Sequence, residues 1–393
     1  MNIVKSTRIQ SIDLLRGVIM VIMALDHVRD YFHLGAMNYD PVNMETTYPL
    51  LFFTRFITHY CAPLFVFLAG TSAFLYGAKR TKKELSKFLI TRGIWLVFVE
   101  LVILNFLWWF DVSYSFVNLQ VIWAIGICMI LLGFIIYLPI KWILIVGLLM
   151  VFGHNFFDGI VMQGTSLKSI IWYVLHQQSF VPMGSRTIAI YYPIIPWVGV
   201  MALGYCFGEL YKSGFDVLKR KKWLLGLGFI SLSIFLVLRG FNIYGDPIPW
   251  TVQKDGTYTL MSFLNVYKYP PSLLFLLIAI GPGFLFLYVT ESIQNKLTDF
   301  FLVFGRVPFF YYILHILFIH LAAILGIIIN GGNWRDMIID NSTFINGKLA
   351  TYGYSMLVVY LVWIALVLML YPICKRYMEY KIKNKDKWWL SYL

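Results

Sequence analysis

Charged residues are scarce in this sequence. Asp, Glu, Lys and Arg make up only 13% of its 393 residues, whereas hydrophobic residues make up 60% and the mean hydropathy is +0.74. A water-soluble domain has about 25% charged residues, so this chain has too little polar surface to cover a soluble globule. The composition therefore predicts an integral membrane protein, and the 18% of aromatic residues suits the interfacial belts of such proteins.

Cysteine is also rare, and none of the four cysteines forms a CxxC pair or a Cys/His metal-binding spacing. His315 and His320 are five positions apart and face different directions on a helix, so no metal site is predicted. Walker, HExxH, GxSxG and dinucleotide-binding motifs are missing as well. The sequence thus lacks the signatures of P-loop enzymes, zinc proteases and serine hydrolases.

What the sequence has in abundance is long apolar runs. A membrane-spanning helix needs about 20 mostly apolar residues, and about ten runs approach or exceed this length. The fifth run is short, and the ninth contains Pro308, which predicts a bend. The predicted fold is all-α, one transmembrane domain over 1–393. The predicted spans are 12–32, 55–76, 88–110, 118–138, 142–157, 191–211, 223–241, 270–290, 301–329 and 352–372.

The 32 Lys and Arg residues are unevenly distributed between the two sides of these spans. With the N-terminus inside, cations gather in the inner loops around 79–87 and 212–222 and in the basic tail 373–393. Cytoplasmic loops are enriched in Lys and Arg, so both termini are predicted to be cytoplasmic. The formal net charge of +13 is explained by these loops lying beside anionic lipid, and no nucleic-acid partner is predicted.

The longer polar loops fall on the outer side, at 34–54, 158–190, 242–268 and 330–350. A short interfacial helix is predicted at 166–178 within the second of them. Recognition of a polar partner is therefore expected on the outer face.

Charged side chains inside a span are costly and mark candidate functional positions. On the first span, Arg16 and His27 lie within about 20° of each other on one helix face and about 16 Å apart along the axis. Asp26 and Asp30 lie close to His27 and are predicted to orient it as a general base. The alternative is that Asp26, Arg29 and Asp30 form an ion-pair network that closes the helix end.

Other spans also carry ionisable or polar residues. His59 follows Arg55 by one helical turn and is interpreted either as a second active-site residue or as an interfacial histidine. Glu100 lies near the middle of the membrane and must be protonated or paired. The remaining candidates to line a cavity or bind a substrate are His33, Arg92, Asn105, Arg306, Tyr312 and His315.

Several motifs resemble those of bacterial proteins grouped with the heparan-α-glucosaminide N-acetyltransferase catalytic domain. One is Asp-Leu-Leu-Arg-Gly at 13–17, and another is Leu-Asp-His-Val-Arg-Asp-Tyr-Phe at 25–32. The resemblance covers essentially the whole chain and is strongest over 1–110. The other matching segments are 53–63, 65–72, 305–308 leading to His315, and 388–393.

The resemblance implies a membrane-embedded acyltransferase in the plasma membrane of a prokaryote. It would move an acetyl group from cytoplasmic acetyl-CoA to a sugar amine or hydroxyl on the other side. Arg16, Arg92 and Arg306, near the cytoplasmic face, would bind the anionic end of acetyl-CoA. We expect their inner cationic site and an outer histidine to share one conduit through the helices.

The resemblance leaves the catalytic histidine open. In the lysosomal member of the family this residue lies in the outer loop after the first span, and Asn38 falls at the equivalent place here. His27, His33 and His59 therefore all stay candidates. Direct transfer and an acetyl-histidine intermediate are both consistent with the motifs.

A competing hypothesis is a proton-coupled transporter or flippase for a polar or lipid-linked solute. The intramembrane His, Glu and Arg residues would then form a proton relay or a substrate path. Both hypotheses require a lipid bilayer, and the acyltransferase also requires an extracytoplasmic glycan or small polar acceptor. The identity of this acceptor and the formation of a homo-oligomer are open at this point.

Overall fold

The computed structural model describes residues 9–345, 347 and 349–391. Both ends of the predicted domain 1–393, and the last two residues of the tail 373–393, lie outside the described residues. The described chain is mostly helical, with sixteen α-helices. These helices are α1 (Gln10–Phe32), α2 (Pro49–Ile57), α3 (Cys61–Gly77), α4 (Lys82–Phe98), α5 (Asn105–Trp109), α6 (Val121–Ile135), α7 (Ile140–Gly153), α8 (Leu167–Leu175), α9 (Ile194–Phe207), α10 (Val217–Gly240), α11 (Gly256–Leu264), α12 (Leu273–Thr290), α13 (Lys296–Arg306), α14 (Pro308–Ile329), α15 (Asn341–Ile345) and α16 (Met356–Lys383).

Eight helical segments of the described chain are long and apolar enough to cross a membrane, which confirms a polytopic membrane protein. The 23-residue α1 is also long, but it contains several charged residues, and α6 has only 15 residues. The predicted ten crossings count α1 and α6 in addition to the eight segments, and this number stays a prediction. The eight segments are Pro49–Gly77, Lys82–Trp109, Ile140–Phe157, Ile194–Tyr211, Val217–Gly240, Leu273–Thr290, Pro308–Ile329 and Met356–Lys383.

A small β-sheet departs from the all-α prediction. Its strands are β1 (Phe116–Leu119), β2 (Ser179–Met183) and β3 (Arg186–Ile190), in the order β1-β3-β2. The central β3 pairs parallel with β1 and antiparallel with β2. A strand of four residues is too short to show an alternating pattern beside a long apolar run.

The sheet also corrects one predicted boundary. Asn118 belongs to β1, and the helix predicted to begin there starts three residues later, at Val121. The helix predicted at 166–178 is present as α8.

The predicted bend at Pro308 is confirmed as a break between α13 and α14. Val307 joins the two helices with φ −133° and ψ 48°, outside the helical region. Proline disfavours the helical conformation of the residue before it and has no N–H to donate, so it ends α13 and begins α14. The break lies directly beside Arg306.

The closest helix contact relevant to the site joins α1 and α13. A Cβ atom on Gly17 would lie 2.0 Å from the carbonyl oxygen of Phe301, and one on Gly305 would lie 1.8 Å from that of Asp13. Only glycine permits the two backbones to come this close. The contact sets Arg16 and Arg306, the neighbours of these glycines, beside each other.

We expect Gly305→Ala to force α1 and α13 apart and to destabilise the protein by about 1–3 kcal/mol, because overpacking strains the backbone. Thermal unfolding of the purified protein in detergent measures the effect. Gly226→Ala in α10 is the matched control, because nothing lies within 4 Å of its Cβ position. Equal midpoints for the two variants would contradict the prediction.

Candidate active site

A cavity of about 330 Å³, here called the inner chamber, is lined mainly by α1, α3, α4, α6, α13 and α14. Its lining includes the three arginines predicted to bind the donor, Arg16, Arg92 and Arg306, together with Lys381 of α16. A cluster of cations thus adjoins largely apolar walls. The other lining residues are Met20, Met23, Phe65, Ala69, Ser72, Ala73, Tyr76, Phe88, Leu89, Leu96, Val121, Ile122, Ile125, Met129, Pro308, Phe309 and Tyr312.

Arg16 is held in place by contacts from three helices. Its guanidinium donates to Asp13 Oδ1 at 2.9 Å, to Ser72 Oγ at 2.9 Å and to the carbonyl oxygen of Gly305 at 3.3 Å. The last contact depends on the close approach of α1 to α13. These bonds fix the direction of the guanidinium, which favours recognition of an anion in a defined position.

The guanidinium of Arg306 offers an unused donor to the inner chamber. Its Nε is buried and has no hydrogen-bond partner among the residues that the structure describes. Buried polar groups are normally hydrogen-bonded, so this donor fits a polar ligand that enters the chamber. The cations of the chamber, together with this unused donor, are suited to phosphate groups.

A second cavity of about 470 Å³, the outer chamber, lies at the other end of α1. Many of its lining side chains are polar or aromatic, which suits a hydroxylated or amino-bearing ligand. These include Asp26, His27, Arg29, Asp30, Tyr31, Tyr39, Asp40, Arg55, Thr58, Trp108, Trp109, Asn118, Gln120, Gln178, Tyr191, Tyr192, Lys268 and Tyr269.

The two chambers meet at a level defined by three residues. Met23, Phe65 and Val121 line both of them. His27 lies one helical turn beyond Met23 on the outer side, and Tyr312 lines the inner chamber. Their rings contact edge to face with centroids 6.0 Å apart, so an aromatic contact connects the two chambers at this level.

His27 is oriented by a second histidine. Nδ1 of His315 lies 3.0 Å from the carbonyl oxygen of Tyr311, which can only accept, so this nitrogen carries the proton. Nε2 of neutral His315 is then an acceptor, and Nδ1 of His27 donates to it at 2.7 Å. The lone pair of His27 is therefore on Nε2. A neutral imidazole held in this tautomer can accept a proton.

Asp26 and Asp30, which the sequence predicts to orient His27, bond to arginines. Asp26 accepts from Arg29 at 2.8 Å through one oxygen and from Arg55 at 2.6 Å through the other. Asp30 accepts from Arg29 at 2.6 Å. The four groups form a charge-balanced network on the wall of the outer chamber, as in the alternative interpretation of the sequence.

His59 is nearly fully buried, and its ring packs edge to face against Phe56 and Phe275. It does not belong to the lining of the outer chamber, whereas Arg55, one turn earlier, does. The spacing of Arg55 and His59 in the sequence does not show which of them lines the chamber. The packing of neighbouring helices decides which of the two side chains is covered.

His33 lies just beyond the end of α1, in a third cavity of about 350 Å³ that shares Arg29 and Asp40 with the outer chamber. Its Nε2 is 3.0 Å from the hydroxyl of Tyr48. Burial, with a smaller effect of the Arg29 guanidinium, lowers the pKa of the His33 imidazole below its ordinary value. The third cavity forms a vestibule beside the outer chamber.

Glu100 and Asn105 lie behind the chambers. Glu100 is fully buried in a π-helical turn, Val99–Leu104, and accepts from the backbone N–H of Trp123 at 3.1 Å. Asn105 bonds to the backbone of Asn118 through both ends of its amide, at 2.6 and 3.0 Å. These contacts attach β1 and the start of α6 to the π-helical turn, and so position two elements that contribute to the chamber walls.

Sequence reasoning missed several residues of the outer chamber. Trp108 contacts His27 edge to face with ring centroids 4.8 Å apart, and Lys268 adds a cation from an outer loop. Tyr191, Tyr192 and Tyr269 also line the chamber. Aromatic residues at span ends are common in membrane proteins for interfacial reasons, so their sequence signal did not single them out.

Comparison with known families gives a match over much of the chain. The model for the catalytic region of heparan-alpha-glucosaminide N-acetyltransferase matches residues 8–239, more than half of the chain. The matched region contains Arg16, Asp26, His27 and Arg92, whereas His315 lies beyond it. No protein with a curated description matches the chain.

We expect Asp26→Asn to destabilise the protein by about 3 kcal/mol, because Arg29 and Arg55 would lose the charge that balances them in a largely buried place. Chemical or thermal unfolding in detergent measures the change. Asp299→Asn, an exposed carboxylate in the first turn of α13, is the control and should cost less than about 1 kcal/mol. Similar losses for both variants would show that the network contributes little.

Proposed function

Because the chain belongs to the heparan-alpha-glucosaminide N-acetyltransferase catalytic family, whose members are acetyl-CoA-dependent membrane acetyltransferases, we propose that it transfers an acetyl group across the membrane. Acetyl-CoA enters the inner chamber, and the acceptor enters the outer chamber. The single observation that carries this proposal is the meeting of the chambers at Met23, Phe65 and Val121, with His27 immediately on the outer side.

The proposed direction is from the cytoplasm outward. Cations concentrate in the loops and the tail on the side of the inner chamber, and cytoplasmic loops are the cation-rich ones. This supports cytoplasmic termini, which an even number of crossings such as the predicted ten would give. We propose the plasma membrane as the location, as the family resemblance implies. Acetyl-CoA is made in the cytoplasm, so an inner site on that side gives the donor direct access.

The inner chamber suits the two parts of the donor. Arg16, Arg92 and Arg306 are guanidinium donors for its phosphates, and the apolar walls suit its pantetheine arm. Arg16 and His27 are about 16 Å apart along the axis of α1, a distance that an extended pantetheine arm spans. In this arrangement, the thioester lies near the level of His27 when the phosphates lie near Arg16.

We assign the role of general base to His27. The hydroxyl or amine of the acceptor gives its proton to Nε2 of His27 while its oxygen or nitrogen bonds to the acetyl carbon. The carbon–sulfur bond breaks, and the sulfur leaves with the electron pair and takes the proton from Nε2 of His27, so that coenzyme A is released as the thiol and His27 is neutral again. His315 holds His27 in the required tautomer, a positioning role.

The lining of the outer chamber supports a sugar as the acceptor. The carboxylate of Asp40 can accept hydrogen bonds from hydroxyl groups, and the amides of Gln120 and Gln178 can both accept and donate them. Trp108 and Tyr191 add aromatic rings to the lining. The network of Asp26, Arg29, Asp30 and Arg55 keeps this wall polar without net charge. We propose an extracytoplasmic glycan or a small sugar that carries a free amine or hydroxyl.

We expect His27→Ala to bind coenzyme A like the unmodified protein but to lose turnover by about 10²–10⁴-fold, the contribution of a general base. Calorimetry with coenzyme A and acetyl release from acetyl-CoA with a sugar acceptor measure the two properties. A larger loss of turnover in His59→Gln than in His27→Ala would assign the base to His59 instead. Failure of the unmodified protein to bind coenzyme A, with proton-coupled solute uptake into vesicles, would replace the enzyme by the transporter hypothesis.

We expect Arg92→Gln and Arg306→Gln to weaken coenzyme A binding about tenfold or more, because each removes a charge-assisted hydrogen-bond donor from the inner chamber. The affinity is measured by titration at low and at high salt. Lys83→Gln is the control, since it removes an exposed cation from α4 outside the chamber lining. An equal loss in all three variants would indicate only a general effect of positive charge.

A further inference from the structure

Outside the chambers, three side chains with metal-binding donor atoms lie close together. His154 begins the 3-10 turn His154–Phe157 after α7, Asp158 follows this turn, and His176 caps the end of α8. One donor atom from each residue lies within 4.8 Å of those of the other two. The two histidines are only 1% and 2% exposed.

The hydrogen bonds of this cluster leave several donor atoms unused. Nε2 of His176 lies 3.0 Å from Asp158 Oδ1, and Asn155 donates to Asp158 Oδ2 at 2.8 Å. Both ring nitrogens of His154 and Nδ1 of His176 are buried without a hydrogen-bond partner in the part of the chain that the structure describes. Three buried, unpartnered imidazole nitrogens in one place are unfavourable unless something else binds them.

We propose that His154, Asp158 and His176 bind a divalent transition-metal ion, for which Zn²⁺ is the best match. Two imidazole nitrogens and one carboxylate oxygen are typical zinc ligands, whereas Ca²⁺ and Mg²⁺ prefer oxygen ligands only. Zinc bonds of about 2.0–2.1 Å in a tetrahedron separate neighbouring ligand atoms by about 3.3 Å. Small side-chain rotations bring the three donor atoms to this separation, and a water molecule completes the tetrahedron.

Neighbouring residues give the site a supporting shell. Asn155 orients Asp158 through its amide nitrogen, and its amide oxygen accepts from the backbone N–H of Leu273 at 3.0 Å. The rings of Phe157 and Trp172 pack against His176. Groups that orient the ligands and exclude water are a regular feature of protein metal sites.

The location gives the ion a structural role. The site links the end of α7 to the end of α8, and the hydrogen bond of Asn155 extends this link to the start of α12. Gln178, two residues after His176, lines the outer chamber, and β2 begins at the next residue. The ion therefore fixes one part of the wall of the outer chamber without touching the reacting groups.

A titration of the full-length protein in detergent tests the proposal directly. After removal of metals with EDTA, we expect one equivalent of Zn²⁺ to bind and to raise the midpoint of thermal unfolding, with EDTA reversing the rise. Co²⁺ should give the strong visible absorption of a tetrahedral site. No saturable binding, or binding without any change in the unfolding midpoint, would overturn the proposal.

Variants assign the binding to these residues. Asp158→Asn retains the shape of the side chain but removes its charge and one of its two acceptor oxygens, and we expect it to lower the Zn²⁺ affinity about tenfold or more. His154→Gln should have at least the same effect. His33→Gln, which removes another outer histidine, is the control for metal binding and should retain the single equivalent. An unchanged Zn²⁺ affinity in both Asp158→Asn and His154→Gln would show that the ion binds elsewhere and would overturn the assignment.

Discussion

The packing of α1 against α13 and α14 is the constraint on which the rest of the site depends. Two glycines allow the backbones of α1 and α13 to touch, so that Arg16 and Arg306 lie together at the inner chamber and the carbonyl of Gly305 accepts from Arg16. Because Pro308 ends α13 at this point, α14 continues in a new direction along α1. His315 of α14 thereby lies against His27. On α1, His27 follows Arg16 by eleven positions.

Each ionisable group on α1 has a partner suited to apolar surroundings. An unpaired charge in a low-dielectric region is costly, and the cost falls when opposite charges are in contact and hydrogen-bonded. Asp13 pairs with Arg16 near the inner chamber, and Asp26 bonds to both Arg29 and Arg55 near the outer chamber. His27 differs from these residues, because its partner is a neutral imidazole that leaves one nitrogen with a lone pair. In the proposed reaction, the same helix thus carries a charged group that binds the donor, Arg16, and a neutral group for proton transfer, His27.

The two chambers divide the requirements of a transfer reaction between them. The inner chamber combines cations with apolar walls, and the outer chamber combines polar side chains with aromatic rings. Among the residues that the structure describes, only Met23, Phe65 and Val121 belong to both. In the proposed reaction, this apolar boundary limits the passage of water and ions while the two ligands approach each other from opposite sides. The sheet, α8 and the turn after α7 lie in segments that connect the predicted spans. These elements hold Gln178 and its neighbours at the wall of the outer chamber.

The amino-acid sequence by itself determined the membrane class, most of the helices, the bend at Pro308, and Arg16 and His27 of α1 as candidates. These features depend on local properties, namely apolar length, charge inside a span and the geometry of proline. Only the tertiary structure decided that His315 is the partner of His27, that His59 faces Phe275, and that β1 precedes α6. It also brought together His154, Asp158 and His176, because the chain between Asp158 and His176 folds back onto the end of α7. Contacts between residues far apart in the chain depend on how the helices pack, and neither periodicity nor spacing contains that information.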